Sequence, residues 1–133
     1  MSRRPNLVYQ ERLVVPHQHP QVTANQTYEV YLTPLDRPAL IDRVLYESDA
    51  GLAADDTNYV VLNVLNGATV AASWSTKLTG GNGALVAKSL EAFINGALAN
   101  RSVPANTKIK LQVVVTGAPT LPLANLKVDL RLL

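Results

Sequence analysis

Apolar and polar residues alternate with a period of two in two segments of the second half of the chain, 107–116 and 125–133. The apolar positions are Ile109, Leu111, Val113 and Val115 in the first segment, and Leu126, Val128, Leu130 and Leu132 in the second. The polar positions between them are Lys108, Lys110, Gln112, Lys127, Asp129 and Arg131. Such alternation is typical of antiparallel strands that pack one face on a core and turn the other face to water.

Further strand-like segments precede these two, each rich in β-branched or aromatic residues and bounded by turn formers. They span residues 7–15, 27–33, 39–48, 59–65 and 69–78. Asn66 and Gly67 join the last two of these segments. An Asn-Gly pair between two strand-like segments predicts a hairpin with a type I′ turn, because both residues accept a positive φ.

The segment 84–98 fits two different structures. Its apolar residues Leu90, Phe93, Ile94, Ala97 and Leu98 have the spacing of a short amphipathic helix. A strand over residues 85–90 followed by a loop is the alternative, and the pattern leaves both open. About eight strands in all predict an all-β protein: an antiparallel β-sandwich that is jelly-roll-like, with at most one short helix near Leu90 to Leu98.

Composition narrows the class of protein. The chain has 133 residues, and we expect one domain over residues 7–133, preceded by a flexible basic arm over residues 1–6. Its 12 basic and 10 acidic residues are too balanced for a nucleic-acid binder, which would carry a basic stripe. There is no cysteine, no apolar stretch behind the N-terminal charges and no run of about 18 apolar residues. We therefore expect a protein made in the cytoplasm that contacts neither membrane nor nucleic acid.

Two groups of residues are candidates for metal binding. His17 and His19 lie between Pro16 and Pro20, in what the prolines predict to be an irregular connection. Two imidazoles on one side of an extended chain are potential zinc or nickel ligands, but the chain has no third histidine to complete a set. These residues are therefore weak candidates, and the prediction is that the protein holds no metal and no cofactor.

The second group is acidic. Asp49, Asp55 and Asp56 lie in one loop and would suit calcium, yet their spacing differs from that of an EF-hand. The favoured alternative is that these side chains bind nearby backbone amides and shape the turn. No Gly-x-Ser-x-Gly motif and no cysteine nucleophile is present, so the prediction is a protein that is not an enzyme and has no catalytic residue. Trp74 is expected in the core, where its indole N–H needs a partner.

Three stretches follow one another in a distinctive order: Asp55-Asp56-Thr57-Asn58-Tyr59, then Gly80-Gly81-Asn82-Gly83-Ala84-Leu85, then Val103-Pro104-Ala105-Asn106 leading into an alternating strand. With the hairpin rich in Gly, Thr, Ala and Ser between the first two, this order resembles that of capsid decoration or cement proteins of tailed bacteriophages. The resemblance covers roughly residue 39 to the C-terminus. Asn106 stands where similar sequences often carry Gly, and Asn also tolerates a left-handed backbone.

The resemblance implies a compact jelly-roll module, without catalytic residues, that binds the outer surface of a phage head and stabilises the capsid. Its expected partners are neighbouring major capsid subunits, which it would bridge, and further copies of itself as a dimer or trimer. The residues expected at these interfaces are Arg3, Arg4, Leu7, Tyr9, Leu132 and Leu133. The alternative is a carbohydrate-binding or receptor-binding β-sandwich module of a phage tail or fibre.

Overall fold

A computed structural model describes residues 11–133 of the chain. These residues form ten strands and one short helix. The elements in chain order are β1 (Glu11–His19), β2 (Gln26–Leu32), β3 (Ala39–Ser48), β4 (Tyr59–Asn66), β5 (Thr69–Ser75), β6 (Leu90–Ala92), β7 (Ile94–Asn95), α1 (Leu98–Arg101), β8 (Ser102–Val103), β9 (Lys108–Thr116) and β10 (Ala124–Leu132). No helix of the described part is long and apolar enough to cross a membrane.

The strands form two antiparallel sheets that face each other. Sheet I has the order β1-β10-β3-β6, and β8 pairs with the other end of β3. Sheet II has the order β2-β9-β4-β5-β7. Each of the first three connections carries the chain from one sheet to the other, and so does the one between β9 and β10. This is the double-sheet arrangement of a jelly roll, so the predicted fold class is confirmed.

The core lies between the two sheets and follows the predicted alternation. In β9, Ile109, Leu111 and Val113 are fully buried, and in β10 every second residue from Ala124 to Leu132 is buried. Because strand side chains alternate between faces, the same pattern sends the charged residues of both strands to the outside. Trp74, expected in the core, is half-buried and packs against the core residues.

The hairpin between β4 and β5 is present, but its turn differs from the prediction. Its two central residues are Gly67 and Ala68, and only Gly67 has a positive φ, of 62°. A positive φ at the first central position alone is the pattern of a type II′ turn. Asn106 also has a positive φ, of 53°, which confirms that the turn before β9 requires a residue tolerant of the left-handed region.

The first strand is longer than predicted at its C-terminal end. β1 continues through Pro16 to His19, and it pairs with β10 from Glu11↔Leu132 to His19↔Ala124. The predicted irregular connection over residues 16–20 is therefore wrong. A proline is tolerated inside this strand because β1 lies at the edge of sheet I, where one row of backbone groups has no ladder partner within the described chain.

The ambiguous segment 84–98 contains two short strands, β6 and β7, one in each sheet. The single helix, α1, begins only at Leu98 and has four residues. β5 ends at Ser75, earlier than predicted, because Asn82 folds back on it. The Asn82 side chain accepts the Ser75 N–H at 2.7 Å, and the Asn82 N–H donates to the Ser75 carbonyl at 2.7 Å.

Candidate functional site

Both histidines face the space between the sheets, on the inward side of β1. In sheet I, His19 lies opposite Ala124 of β10, and Ala124 lies opposite Ser48 of β3. Since Ala124 has only a methyl side chain, the His19 ring can reach across β10 toward Tyr46 of β3. His19 and Tyr46 are both fully buried, so His19 belongs to the core and not to an irregular connection.

Both ring nitrogens of His19 have hydrogen-bond partners. Nδ1 lies 2.7 Å from the carbonyl oxygen of Pro20, which can only accept, so Nδ1 carries the proton. Nε2 then accepts the Tyr46 hydroxyl proton at 2.6 Å. The ring also stacks on Tyr46 and on Tyr28 of β2, with centroid separations of 5.7 and 5.9 Å. This geometry holds His19 in one neutral tautomer and leaves no lone pair for a metal.

His17 is half-buried and lies against Tyr28, with the two ring centroids 5.5 Å apart. Its Nε2 atom is buried and has no hydrogen-bond partner within the described chain. Burial lowers the pKa of His17, and it also lowers the pKa of His19, where the Pro20 hydrogen bond acts in the opposite direction and His17 adds to the lowering. Burial raises the pKa of Tyr46. All three groups are therefore neutral near pH 7.

Residues 11–133 contain no cluster of three or more His, Cys, Asp or Glu side chains arranged to hold a metal ion. The three loop carboxylates go to three separate sets of partners. Asp49 pairs with Lys88. Asp55 Oδ1 accepts the N–H groups of residues 57 and 58, both at 2.6 Å. Asp56 accepts the N–H and the hydroxyl of Thr79, both at 2.7 Å.

These bonds lower the pKa of Asp55, chiefly through the two backbone amides, and that of Asp56, chiefly through Thr79. The geometry agrees with the turn-shaping interpretation of this loop. Neighbouring loops at the same end of the sandwich are tied together in a similar way. Asn58 Oδ1 accepts the Ala118 N–H at 2.9 Å, and Trp74 Nε1 donates to the Gly83 carbonyl at 3.1 Å.

The outer face of sheet I carries charges that pair with one another. Asp42 of β3 binds Arg12 of β1 at 2.9 Å and Arg131 of β10 at 3.0 Å. Arg43 binds Asp129 at 2.5 Å. Each pair joins a largely buried aspartate to an arginine at the surface, and the pairs neutralise the face locally. Arg131, one of the outward basic residues of β10, is thus already paired within the domain.

The outer face of sheet II is different, because its central two rows carry no charge. One row crosses four strands and consists of Thr27, Gln112, Asn63 and Ser73. The next row consists of Val114, Val61 and Ser75. We call these seven residues the neutral face. Asn63 Nδ2 donates to Gln112 Oε1 at 3.0 Å within it.

Charged and apolar residues mark two margins of the neutral face. At one corner, Lys108 binds Glu29 at 2.7 Å. Along the β5–β7 margin, Val70 and Ile94 are exposed, at 41% and 56% of their surface. Sequence reasoning missed this surface, although one signal was available: the outward positions of β4, Val61 and Asn63, lack the charges that mark those of β9 and β10.

One edge of each sheet, β1 in sheet I and β2 in sheet II, carries a feature that opposes the addition of another strand. β1 contains Pro16, which has no N–H to donate. β2 has a register shift between Glu29 and Tyr31, where its pairing with β9 is irregular. Prolines and bulges are common ways of blocking an edge strand against pairing with another chain.

The residues predicted at interfaces fall into two groups. Arg3, Arg4, Leu7 and Tyr9 lie outside the described residues. Leu132 is buried against its own domain, with 8% of its surface exposed. Leu133 is half exposed, and its N–H donates to the Pro38 carbonyl at 3.0 Å.

No protein-family model and no curated protein matches this chain. Among solved structures, the chain is similar to a structure of infectious bursal disease virus, Gx strain, with 13% sequence identity and a TM-score of 0.35. The similarity covers 99% of this chain and 35% of that chain, so this chain spans about a third of the other's length. A likeness this distant indicates neither fold nor function by itself.

Proposed function

We propose that this protein is a structural, non-enzymatic component of a phage particle that binds the outer surface of the head. In that position it would bridge neighbouring major capsid subunits and stabilise the shell. The observation that carries the proposal is the strand order, β1-β10-β3-β6 facing β2-β9-β4-β5, which is a jelly roll. Viral capsid domains are one of the protein classes built on this fold, together with lectin domains and cupins.

The chemistry of the described residues favours the structural class over the other two. A metal-dependent site would need several free ligands close together, and residues 11–133 contain no such cluster. Of the two histidines, His19 has both nitrogens occupied, by Pro20 and Tyr46. A sugar-binding loop would need free polar groups beside an exposed aromatic ring. Here the Trp74 N–H and the carboxylates of Asp55 and Asp56 are already bound within the domain.

A head-stabilising role also suits a small domain with interlocked loops. Each contact with a capsid subunit can be weak, because a protein held at one site is at high effective concentration over the next. Self-association as a dimer or trimer would multiply the contacts and match the symmetry axes of a shell. The basic arm with Arg3 and Arg4 is proposed to bind the shell, together with Leu7 and Tyr9.

The test is reconstitution on phage heads that lack this protein. Purified protein is mixed with such heads, free protein is removed by sedimentation, and occupancy is measured by gel densitometry and by cryo-electron microscopy. We expect saturable binding to the outer surface and a higher temperature of head disruption. Deleting residues 2–6 is expected to lower occupancy while leaving the thermal unfolding of the isolated domain unchanged.

The matched control for the deletion replaces Arg3 and Arg4 with Gln, which keeps the length of the arm and removes its charge. If neither the intact protein nor any variant binds heads, the proposal is wrong. Saturable binding to a glycan in an array, together with absence from the head, would instead support the tail or fibre module.

A further inference from the structure

We propose that the neutral face of sheet II is the surface through which two copies of this chain associate. The inference deepens the self-association in the proposed function and rests on that part of it. It concerns the purified protein alone, so it can be tested without a phage particle.

The neutral face has apolar side chains at its centre and uncharged polar side chains beside them. Val61 and Val114 lie opposite each other at its centre, on the side of the sheet that faces away from the core. β-branched side chains at the centre of an outer sheet face bury apolar area when a second surface covers them. The flanking Asn63 and Gln112 are only half exposed and bind each other, and none of the seven residues of the face is charged.

Three other surfaces of the described chain are less suitable for a second copy: the edge of β1, the edge of β2 and the outer face of sheet I. The edge of β1 carries Pro16, and the edge of β2 carries the irregularity at Glu29 and Tyr31. The outer face of sheet I carries Arg and Asp side chains that already pair with one another, around Asp42 and Asp129. A partner covering that face would have to desolvate these charges, which costs free energy. The neutral face imposes no such cost.

The polar groups of the neutral face favour a second copy of the chain as the partner that covers it. A two-fold contact places a surface against a copy of itself, so the surface must be complementary to itself. A row of charges of one sign does not meet this requirement, because like charges meet near the axis. Amides and hydroxyls meet it, because each carries both a donor and an acceptor. The row of Thr27, Gln112, Asn63 and Ser73 meets this requirement, whereas a charged partner surface would find no counter-charge there.

The experiment measures self-association by sedimentation velocity over a range of concentrations. Asn63→Lys places a cation at the centre of the face, and across a two-fold axis it meets its own copy. We expect the dissociation constant to rise about tenfold or more, since like charges facing each other in an interface are strongly unfavourable. The matched control is Asn125→Lys, the same change on the exposed outer face of sheet I, which should leave the constant unchanged.

A second measurement does not depend on the stability of a lysine variant. The chain has no cysteine, so a single introduced thiol can cross-link only to another copy. Ser73→Cys lies in the neutral face and Asn125→Cys lies on the other sheet. With a short bis-maleimide, we expect covalent dimers from Ser73→Cys and few from Asn125→Cys.

The outcomes separate this inference from the proposed function. A wild-type protein that stays monomeric at every concentration overturns the inference, as does equal cross-linking of the two cysteine variants. Dimers that fail to bind heads would contradict the head-binding proposal alone. If the protein is a monomer and Asn63→Lys abolishes its binding to heads while Asn125→Lys does not, the inference is wrong. The neutral face would then bind the capsid shell and not a second copy of the chain.

Discussion

His19 Nε2 lies 2.6 Å from the Tyr46 hydroxyl oxygen, and both side chains are fully closed to solvent. The two residues are 27 positions apart in sequence and belong to β1 and β3, which are not neighbours in sheet I. Their hydrogen bond therefore spans β10, over the small side chain of Ala124. It ties the edge strand to the centre of the sheet and requires a neutral histidine.

The first prediction is a loss of stability in mild acid. Burial lowers the pKa of folded His19 below its ordinary value of 6.5. Above pH 6.5 the residue is neutral in both states, and stability is complete. As the pH falls below 6.5, the unfolded chain takes up a proton that folded His19 does not, so the free energy of unfolding decreases until the folded pKa is reached. Urea unfolding between about pH 8 and pH 5 measures this decrease.

Three other titratable side chains face His19: His17 from β1, Tyr28 from β2 and Tyr46 from β3. Only His17 shares its pH window, since its pKa is also lowered by burial. His19→Gln is expected to flatten most of the decrease and His17→Gln a smaller part of it. A His19→Gln variant with the full wild-type decrease would show that His19 is not the group responsible.

The second prediction concerns the hydroxyl of Tyr46. Tyr46→Phe keeps the ring that contacts His19 and Phe93 but leaves His19 Nε2 buried without a donor. An unsatisfied buried acceptor costs about 1–3 kcal/mol of unfolding free energy. Tyr28→Phe is the matched control, because Tyr28 is only half-buried and its ring contacts survive, so a smaller loss is expected. Chemical unfolding of both variants at pH 8 compares them, and equal losses would contradict this role for the hydroxyl.

The strands that sequence reasoning located correctly are those with a local signal. In β9 and β10, charged residues alternate with apolar ones, so the periodicity alone assigns both the strand and its inward face. The prediction ends the first strand before Pro16, because proline is rare inside strands. The strand tolerates Pro16 because it lies at the edge of its sheet, and an edge position is a tertiary property that has no local signal in the sequence.

The sites could be predicted only in part, because they depend on register. The alternation of β4 puts Asn63 on the outside, but its neighbours Gln112 and Ser73 follow from pairing with β9 and β5. Likewise the spacing of His17 and His19 places both rings on one face of a strand. Nothing in the sequence says that Tyr46 lies opposite, since residue 46 reaches them only across β10.

The third prediction is that calcium does not stabilise the protein. The carboxylates of Asp55 and Asp56 already accept two hydrogen bonds each from the domain, and Asp49 is paired with Lys88. A calcium ion would have to break these contacts and collect ligands that point to different partners. The melting temperature is therefore expected to be the same in excess calcium and in EDTA. A rise with calcium that disappears in Asp56→Asn would contradict the turn-shaping role.

The fourth prediction compares two glycines with nearly the same backbone conformation. Gly117 and Gly80 have φ values of 76° and 79°. A Cβ on Gly80 would meet no atom within 4 Å, so Gly80→Ala is expected to cost only the left-handed strain, about 1–2 kcal/mol. A Cβ on Gly117 would lie 2.5 Å from Asn58 Oδ1 and also collide with the Thr57 carbonyl oxygen. Gly117→Ala must in addition displace the loop at Thr57 and Asn58 and break the hydrogen bond from the Ala118 N–H to Asn58 Oδ1. We expect it to lower the free energy of unfolding by roughly 2–5 kcal/mol in total. Urea unfolding of the two variants separates strain from collision, and equal costs would show that the loop at Asn58 moves away freely.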